Sequence, residues 1–311
     1  MTKMKAVRIH AYGGPVVLFH EDAPRPEPDA GEVLVRVAAA GVNPIDCNVR
    51  AGQLRQLLPL IMPWTPGLDF SGTVEALGSN GTDLKVGAEV FGKADLPRAG
   101  AYAEYVAVAA ANLLPKPAAI AHAYAAAVPL AALTAWQAIV PKGSLDIEPD
   151  QTLLVLGAAG GVGSMAVQIA RWRGARVIAA ARGSQAAYLR RLGVDKVVDP
   201  ADLQKAGQVD AVLDLVDGEV AERAWKQVRR GGAFASTVGP PSAEEAAARE
   251  ARVVLTSTQP SEAHLAEIAE LVASGVLEVN VTKTFPLERA ADAHAALEAP
   301  GTRGKLVLTT R

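Results

Sequence analysis

The chain of 311 residues is poor in several things, and each shortage removes a class of function. It has one cysteine, Cys47, so neither an intrachain disulfide nor a multi-cysteine zinc site can form. Such cysteine usage suits a reducing compartment, and a cytoplasmic location is expected. Lys and Arg total 31 against 33 Asp and Glu, a formal net charge of −2. No run of basic residues forms an arm, so the charge makes no case for nucleic acid or a membrane surface. No apolar stretch of membrane-spanning length is free of charge or Gly/Pro punctuation. The closest, 118–140, is interrupted by His122, Pro129 and Gln137 and reads as a buried helix. The opening MTKMKAVRIH lacks the apolar segment of a secretory signal. The five histidines (His10, His20, His122, His264, His294) show no ligand spacing, whereas zinc needs three or four converging ligands. No internal repeat is visible. A lone His or Cys here reads as structural, and no metal is expected.

What the chain does have is core. Half its residues are hydrophobic (50%) and a fifth charged (21%), the texture of a globular protein with room for two domains. Two textures follow one another. Up to about residue 115, short strand-like runs (33–39, 72–76, 88–91, 102–108) are punctuated by PRPEP at 24–28, PWTPG at 63–67 and GSNG at 78–81. That pattern predicts an irregular, mostly β domain. After 120, strands predicted at 153–156, 176–181, 196–198, 211–215, 233–237 and 252–256 alternate with helices at 162–173, 185–192 and near 220–228. Each gap is long enough for a crossover, which predicts an α/β, doubly wound parallel sheet. The tail reads as helix 262–273, strand 276–285, helix 287–298 and strand 305–309.

One stretch carries chemistry. LLVLGAAGGVGSMAVQIAR at 153–171 runs from a strand through a glycine knot into a helix. In a dinucleotide-binding unit such glycines make the turn, admit a pyrophosphate and let the helix pack on the strand. The G-x-G-x-x-G frame falls on Ala158, Gly160 and Gly163, so its first position is not glycine. The strand–knot–helix context supports phosphate binding over a turn that binds nothing. After the second strand, where an acid would take the ribose hydroxyls, stand Ala180, Ala181, Arg182, Gly183 and Ser184. A guanidinium and a hydroxyl suit a 2′-phosphate, so NADP(H) is expected; the alternative is that Arg182 is only a solvated surface residue.

DQTLLVLGAAGGVGSMAVQIAR at 150–171 is similar to the signature segment of the quinone oxidoreductase (zeta-crystallin-like) group of the medium-chain dehydrogenase/reductase superfamily. GEVLVRVAAAGVNPIDCNVR at 31–50, PGLDFSGTVEALG at 66–78, VGAEVFG at 86–92, LTAWQAI at 133–139 and RGKLVL at 303–308 share the resemblance. It implies a GroES-like, mostly β catalytic domain (1–120 and 261–311), a Rossmann cofactor domain (121–260) and an active site in the cleft between them. Zinc-dependent relatives carry a Cys and a His-Glu pair where this chain has Asn43 and Leu68-Asp69, and Cys47 lies four positions past the ligand position. The resemblance therefore implies a zinc-independent enzyme. Without a metal a simple alcohol is a poor substrate, while a quinone or activated alkene takes hydride directly.

By resemblance, Asn43 lies beside the nicotinamide ribose and Thr134 near its amide. Ala159, Gly160, Gly161 and Val162 meet the pyrophosphate, Arg182 and Ser184 the adenosine phosphate, and Thr237, Val238 and Gly239 the nicotinamide half. Asp46 either orients a proton path or makes a structural hydrogen bond to a turn. Arg303 and Lys305 either reach cofactor or pocket or lie on the surface. Leu60, Met62 and Trp64 either line the substrate pocket or form a core cluster. The tyrosines that some relatives place after the N-P-x-D stretch are replaced by Asn48 and Leu54, so solvent becomes a candidate proton source. The hydrophilic PPSAEEAAARE at 240–250 either opens the cleft or lids it. The leading expectation is an NADPH-dependent reductase of quinones or α,β-unsaturated carbonyls. An enoyl-thioester reductase and a non-enzymatic NADPH-binding redox sensor or structural protein remain alternatives. A homodimer pairing through the strand at 252–256 is expected from the resemblance, since a bare apolar edge is an aggregation hazard.

Overall fold

The computed structural model describes residues 2–79, 82–96, 98–142 and 144–310; Asn80 and Gly81 of the GSNG turn lie outside the described residues. The chain divides into two compact units. The first is Met1–Leu130 with Pro260–Ala273 and Val279–Arg311, and the second is Ala131–Gln259 with Ser274–Glu278.

The first unit opens with an antiparallel ribbon of β1 (Lys3–Arg8) and β2 (Phe19–Pro24). Then come β3 (Glu32–Val42), α1 (Pro44–Arg50), β4 (Asp69–Leu77), β5 (Glu89–Lys93), β6 (Tyr105–Ala109), β7 (Leu113–Pro115) and α2 (His122–Ala125). The Pro-rich 24–28 and 63–67 stretches stay outside strands, except that Pro24 ends β2, because proline offers no N–H to a ladder. The expected single helix over 118–140 is in fact two. Pro129 starts α3 (Pro129–Ile139), where its missing N–H is no loss, and cannot lie inside a continuous helix running from α2.

The second unit contains β8 (Thr152–Leu156), α4 (Gly161–Trp172), β9 (Arg176–Ala180), α5 (Ala186–Arg191), β10 (Lys196–Val198), β11 (Val209–Asp214), α6 (Gly218–Ala224), β12 (Val228–Ser236), α7 (Ala243–Arg249) and β13 (Arg252–Leu255). All ladders are parallel and the order is β10-β9-β8-β11-β12-β13, so the chain reverses direction of travel between β8 and β11. Ligands of doubly wound sheets sit at that reversal, outside the C-terminal strand ends. The core packs Leu154, Val212, Trp225 and Phe234, the last two stacked with centroids 4.3 Å apart. The hydrophilic 240–250 stretch folds largely into a helix, α7. Ser242 caps α7 through Glu245 N–H, and Ala246 is buried in this core, so the segment is the packed crossover from β12 to β13.

The chain returns to the first unit with α8 (Glu262–Ala273), β14 (Val281–Pro286), α9 (Ala290–Glu298) and β15 (Lys305–Thr309). Residues 276–280, expected in a strand, precede β14 instead. β15 pairs parallel with β14 and antiparallel with β3, which completes the order β14-β15-β3-β4-β5-β7, with β6 also on β3. The C-terminal strand thereby sets Leu306 opposite Val42 and brings Lys305 to Asp69. Val33, Val35, Phe70, Val90 and Leu308 form the core of this unit.

Candidate active site

In the second unit, the turn between β8 and α4 is shaped by two glycines. Gly157, at φ +75°, takes the left-handed turn, one position before the Ala158 of the sequence frame. Ala158 is buried against the strand instead. A Cβ on Gly163 would lie 2.3 Å from Gly157 O and 2.7 Å from the Ala158 Cα, so only glycine lets α4 start this close to β8. Gly160 caps α4 in an extended conformation with no side chain on the orphan N–H groups of the first turn. Those groups and the positive end of the dipole, beside Ala159, Gly160, Gly161 and Val162, could hold an anion. Arg182 and Ser184 follow the end of β9 and are exposed, and no side-chain partner holds the Arg182 guanidinium among the described residues.

Sequence reasoning missed what shapes the neighbouring loops. Asp214, at the end of β11, accepts through Oδ1 from the N–H groups of Val216 (3.0 Å) and Asp217 (3.1 Å). Its Oδ2 accepts from Ser236 Oγ at 3.0 Å, and that hydroxyl in turn accepts from Val238 and Gly239 N–H, each at 3.3 Å. Thr237, Val238 and Gly239 are thus held by a buried Asp–Ser pair. The available signal was an acid closing an apolar strand just before a turn. Thr134 on α3 is buried, with its Oγ1 2.5 Å from Thr258 Oγ1 in the stretch after β13.

The first unit holds a second polar cluster, deeper than the sequence suggested. Asn43 directly precedes α1, and its Nδ2 donates to Asp69 Oδ2 at 3.0 Å while its Oδ1 accepts from Lys305 Nζ. Lys305 Nζ also lies 3.5 Å from Asp69 Oδ2. The other carboxylate oxygen, Asp69 Oδ1, accepts from Leu130 N–H at 2.8 Å, at the positive end of α3. Lys305 is 4% exposed, which excludes the surface alternative for it, while Arg303 is exposed. Leu60 and Met62 pack against the core cluster that contains Trp64.

Asp46 accepts through Oδ2 from the Asn43 N–H at 2.9 Å, the structural bond to the helix start. It also accepts from Tyr102 OH at 3.3 Å, and its Oδ1 has no partner among the described residues. A directed chain leads to it. Arg50 is a permanent donor, so His294 Nδ1, 3.3 Å from Arg50 Nη1, must accept. The ring proton then sits on Nε2 and is donated to Tyr102 OH at 3.1 Å, which leaves the tyrosine proton for Asp46. At the other end Arg50 Nη2 pairs with Glu298 at 2.5 Å. Burial and the adjacent Arg50 charge push His294 down to about 3, so it stays neutral. Burial pushes Tyr102 well above its usual value. Burial is also the main reason why Asp46 is raised to about 7, with Asp69 adding to the rise and the Asn43 N–H, Lys305 and Tyr102 opposing it.

Because Asp46 holds its proton more tightly when folded, the stability it contributes is full below its unfolded value of 3.8 and is lost as pH rises through about 7. Asp46→Asn keeps the shape and carries no such proton. Its melting temperature relative to the parent is expected to rise by roughly 4 °C or more between about pH 5 and about pH 8. His294, whose depressed value acts in the opposite direction, is common to both proteins, as are Asp69, Lys305, Tyr102, Cys47 and Arg50 around the carboxyl. Thermal melts at the two pH values check this; a constant difference contradicts it.

Cys47 faces the same network, with Sγ 3.4 Å from His294 Nδ1. Burial first, then the nearby Asp46 and Glu298, pushes its thiol up to about 12. A protonated, buried thiol is a poor nucleophile. The native protein is expected to take up no N-ethylmaleimide at neutral pH over an hour, and one equivalent once denatured. Labelling of the native protein at the rate of a free thiol contradicts this.

The sequence matches the family described as alcohol dehydrogenase GroES-like domain over residues 29–118 and the one described as zinc-binding dehydrogenase over 192–308. It is 33% identical to the chloroplastic NADPH-dependent alkenal/one oxidoreductase of Arabidopsis thaliana, over 98% of this chain and 79% of that one. The chain is a member of the quinone oxidoreductase group of the medium-chain dehydrogenase/reductase superfamily. It is an oxidoreductase, and the purely structural alternative falls away. The chloroplastic quinone-oxidoreductase homolog of Spinacia oleracea is 36% identical over 201 residues, 63% of this chain and 61% of that protein. The structure of the Escherichia coli quinone oxidoreductase complexed with NADPH superimposes with a TM-score of 0.88 and 28% identity, covering 98% of this chain and 99% of that one.

The zinc named in one family description is not suited by the residues at the positions where zinc-dependent relatives carry ligands. Asn43 and Asp69 are bridged by the Lys305 ammonium, Leu68 is apolar, and the Cys47 thiol is held protonated. Among the described residues no three His, Cys, Asp or Glu side chains converge as metal ligands. A nicotinamide dinucleotide does fit: the uncapped α4 terminus offers N–H groups to its phosphates, and the exposed Arg182 has no side-chain partner among the described residues. Among the described residues no helix is long and apolar enough to cross a membrane.

Proposed function

We propose that this oxidoreductase uses NADPH to reduce quinones and α,β-unsaturated carbonyls without a metal. The observation that carries the reading is Arg182, exposed and without a side-chain partner among the described residues where an acid would select NADH, in the unit whose α4 N-terminus is uncapped. Gly160, Gly161 and Val162 N–H groups hold the pyrophosphate, Arg182 and Ser184 the 2′-phosphate, and the loop 237–239 the nicotinamide half. Asn43 and Thr134 orient the nicotinamide end. The bound nicotinamide supplies hydride; the protein positions the acceptor. The acceptor class is supported by the activities for which the Arabidopsis and Escherichia coli relatives are named.

The thioester alternative needs basic residues for a long carrier, and Arg50 is not available for one. It is 2% exposed and committed to Glu298, His294 and Gly13 O. The cytoplasm is the proposed location, consistent with a single thiol kept reduced. The oligomer is proposed to be a homodimer pairing along β13, an edge strand on which Val253 and Leu255 are 43% and 59% exposed. Light scattering at micromolar concentration is expected to give a dimer for the parent and a monomer for Leu255→Lys; a monomeric parent contradicts this.

The function is tested by mixing the purified protein with NADPH, and separately NADH, with an ortho-quinone, a para-quinone and a simple enone, with and without a chelator. Chelator-insensitive, NADPH-preferring loss of reduced nicotinamide is expected. Turnover that needs added zinc, or none with any acceptor, overturns the reading.

A further inference from the structure

Lys305 is a cation in a place where burial makes a cation costly. Its side chain is 4% exposed and that of Asp69 0%, and a buried ion pair is a weak source of stability, often matched by apolar residues of the same volume. The arrangement is nevertheless built with care. Lys305 Nζ donates to Asn43 Oδ1 and approaches Asp69 Oδ2 at 3.5 Å. Asp69 is itself pinned by the Leu130 N–H and the Asn43 amide, so the carboxylate cannot swing away or rotate. An ammonium has three N–H groups, and no acceptor for the third is found among the described residues. One neighbour of the ammonium is a neutral amide where a second carboxylate would have quenched its charge. Such a group, preoriented, charged and with one N–H donor unspent, is what a developing oxyanion requires.

We propose that Lys305 is a catalytic residue of the reductase, whose uncommitted N–H takes the substrate's carbonyl oxygen and stabilises the negative charge that oxygen acquires. The ammonium thereby occupies the electrophile's place that the residues around it do not offer to zinc. The proposal rests on the reductase reading above. In an enone, hydride forms the new C–H bond at the β-carbon, and the alkene π electrons shift to leave an enolate whose charge rests on oxygen. Water then protonates the α-carbon and the medium neutralises the hydroxide, so one NADPH and one proton are consumed. Asn43 and Asp69 are positioning residues: they touch the ammonium and aim it.

The test uses the full chain with NADP+ bound and 4-nitrophenol as the probe, because its phenolate oxygen imitates the enolate and its absorbance reports ionisation. The parent is expected to bind phenolate over phenol, lowering the probe's apparent pKa by about one unit, a tenfold preference. Lys305→Met is expected to abolish that preference, to leave NADPH affinity within about threefold, and to lower enone kcat/KM roughly 10²-fold, the usual loss for an oxyanion donor. Lys305→Arg, which keeps a cation, restores part of both signals. Should Lys305→Met fold poorly because Asp69 is left unpaired, the double variant Lys305→Met/Asp69→Asn removes both charges and gives the same readouts. A phenolate preference equal in parent and variants overturns the proposal. So does NADPH affinity that falls in step with turnover, since Lys305 would then be a cofactor anchor. A parent that reduces enones no faster than Lys305→Met defeats the proposal alone, whereas a parent that reduces no enone or quinone defeats the reductase reading beneath it.

Discussion

Gly163→Ala is expected to raise the Kd for NADPH at least tenfold and to lower the melting temperature by about 5 °C, the scale of an overpacked backbone contact. The added methyl would stand 2.3 Å from Gly157 O, 2.7 Å from the Ala158 Cα and 2.8 Å from the Ala158 carbonyl carbon. All three are backbone atoms, so no side chain can rotate out of the way. Either α4 tilts off β8 or the turn opens, and both displace the N–H groups proposed to hold the pyrophosphate. Gly160→Ala is the control. Its Cβ would meet only Gly157 O, at 3.4 Å, and its φ of −74° suits any residue. That variant should melt like the parent while still losing cofactor affinity, because the methyl intrudes on the phosphate rather than on the fold. Calorimetric melts and fluorescence titrations separate the two. A Gly163→Ala protein with parental affinity and stability would sink both the packing argument and the phosphate assignment.

Arg182→Ala should weaken NADPH roughly 10- to 100-fold and leave NADH within about twofold, since a charge-assisted bond to phosphate contributes about 1.5–3 kcal/mol. Arg182 is exposed and makes no ion pair among the described residues, so no stability change accompanies the loss. The parent's NADPH affinity should also fall more steeply with salt than the variant's, because one phosphate–guanidinium attraction is screened in the first case and absent in the second. Equal weakening of both nucleotides would show that Arg182 does not read the 2′-phosphate.

The two clusters differ in how far the residues announced them. The turn proposed to hold phosphate was legible because what makes it is consecutive in the chain: strand, glycines and helix, with Arg182 after the next strand. Even there the turn glycine is Gly157 and not the frame position Ala158, since φ is a property of the folded turn rather than of the motif. The 240–250 segment read only as a hydrophilic stretch because its polar face dominates the composition. Its one buried contact, Ala246 in the core, is made by a residue too small to register as an apolar stripe.

Alternating strands and helices, the glycine knot and the missing acid after the second strand are local patterns, and local backbone preference and periodicity were enough to set them. Those patterns decided the parallel sheet and the dinucleotide class. The Lys305–Asn43–Asp69 centre and the Arg50–His294–Tyr102–Asp46 chain were decided by tertiary structure. Lys305 lies 262 positions from Asn43 and 236 from Asp69, and His294 lies 192 from Tyr102. Only the pairing of β15 with β3, and the return of the last segments of the chain to the first unit, brings these groups within hydrogen-bond reach. Burial then does what no spacing can show: it makes an isolated lysine, histidine or aspartate affordable only in the company it finds there.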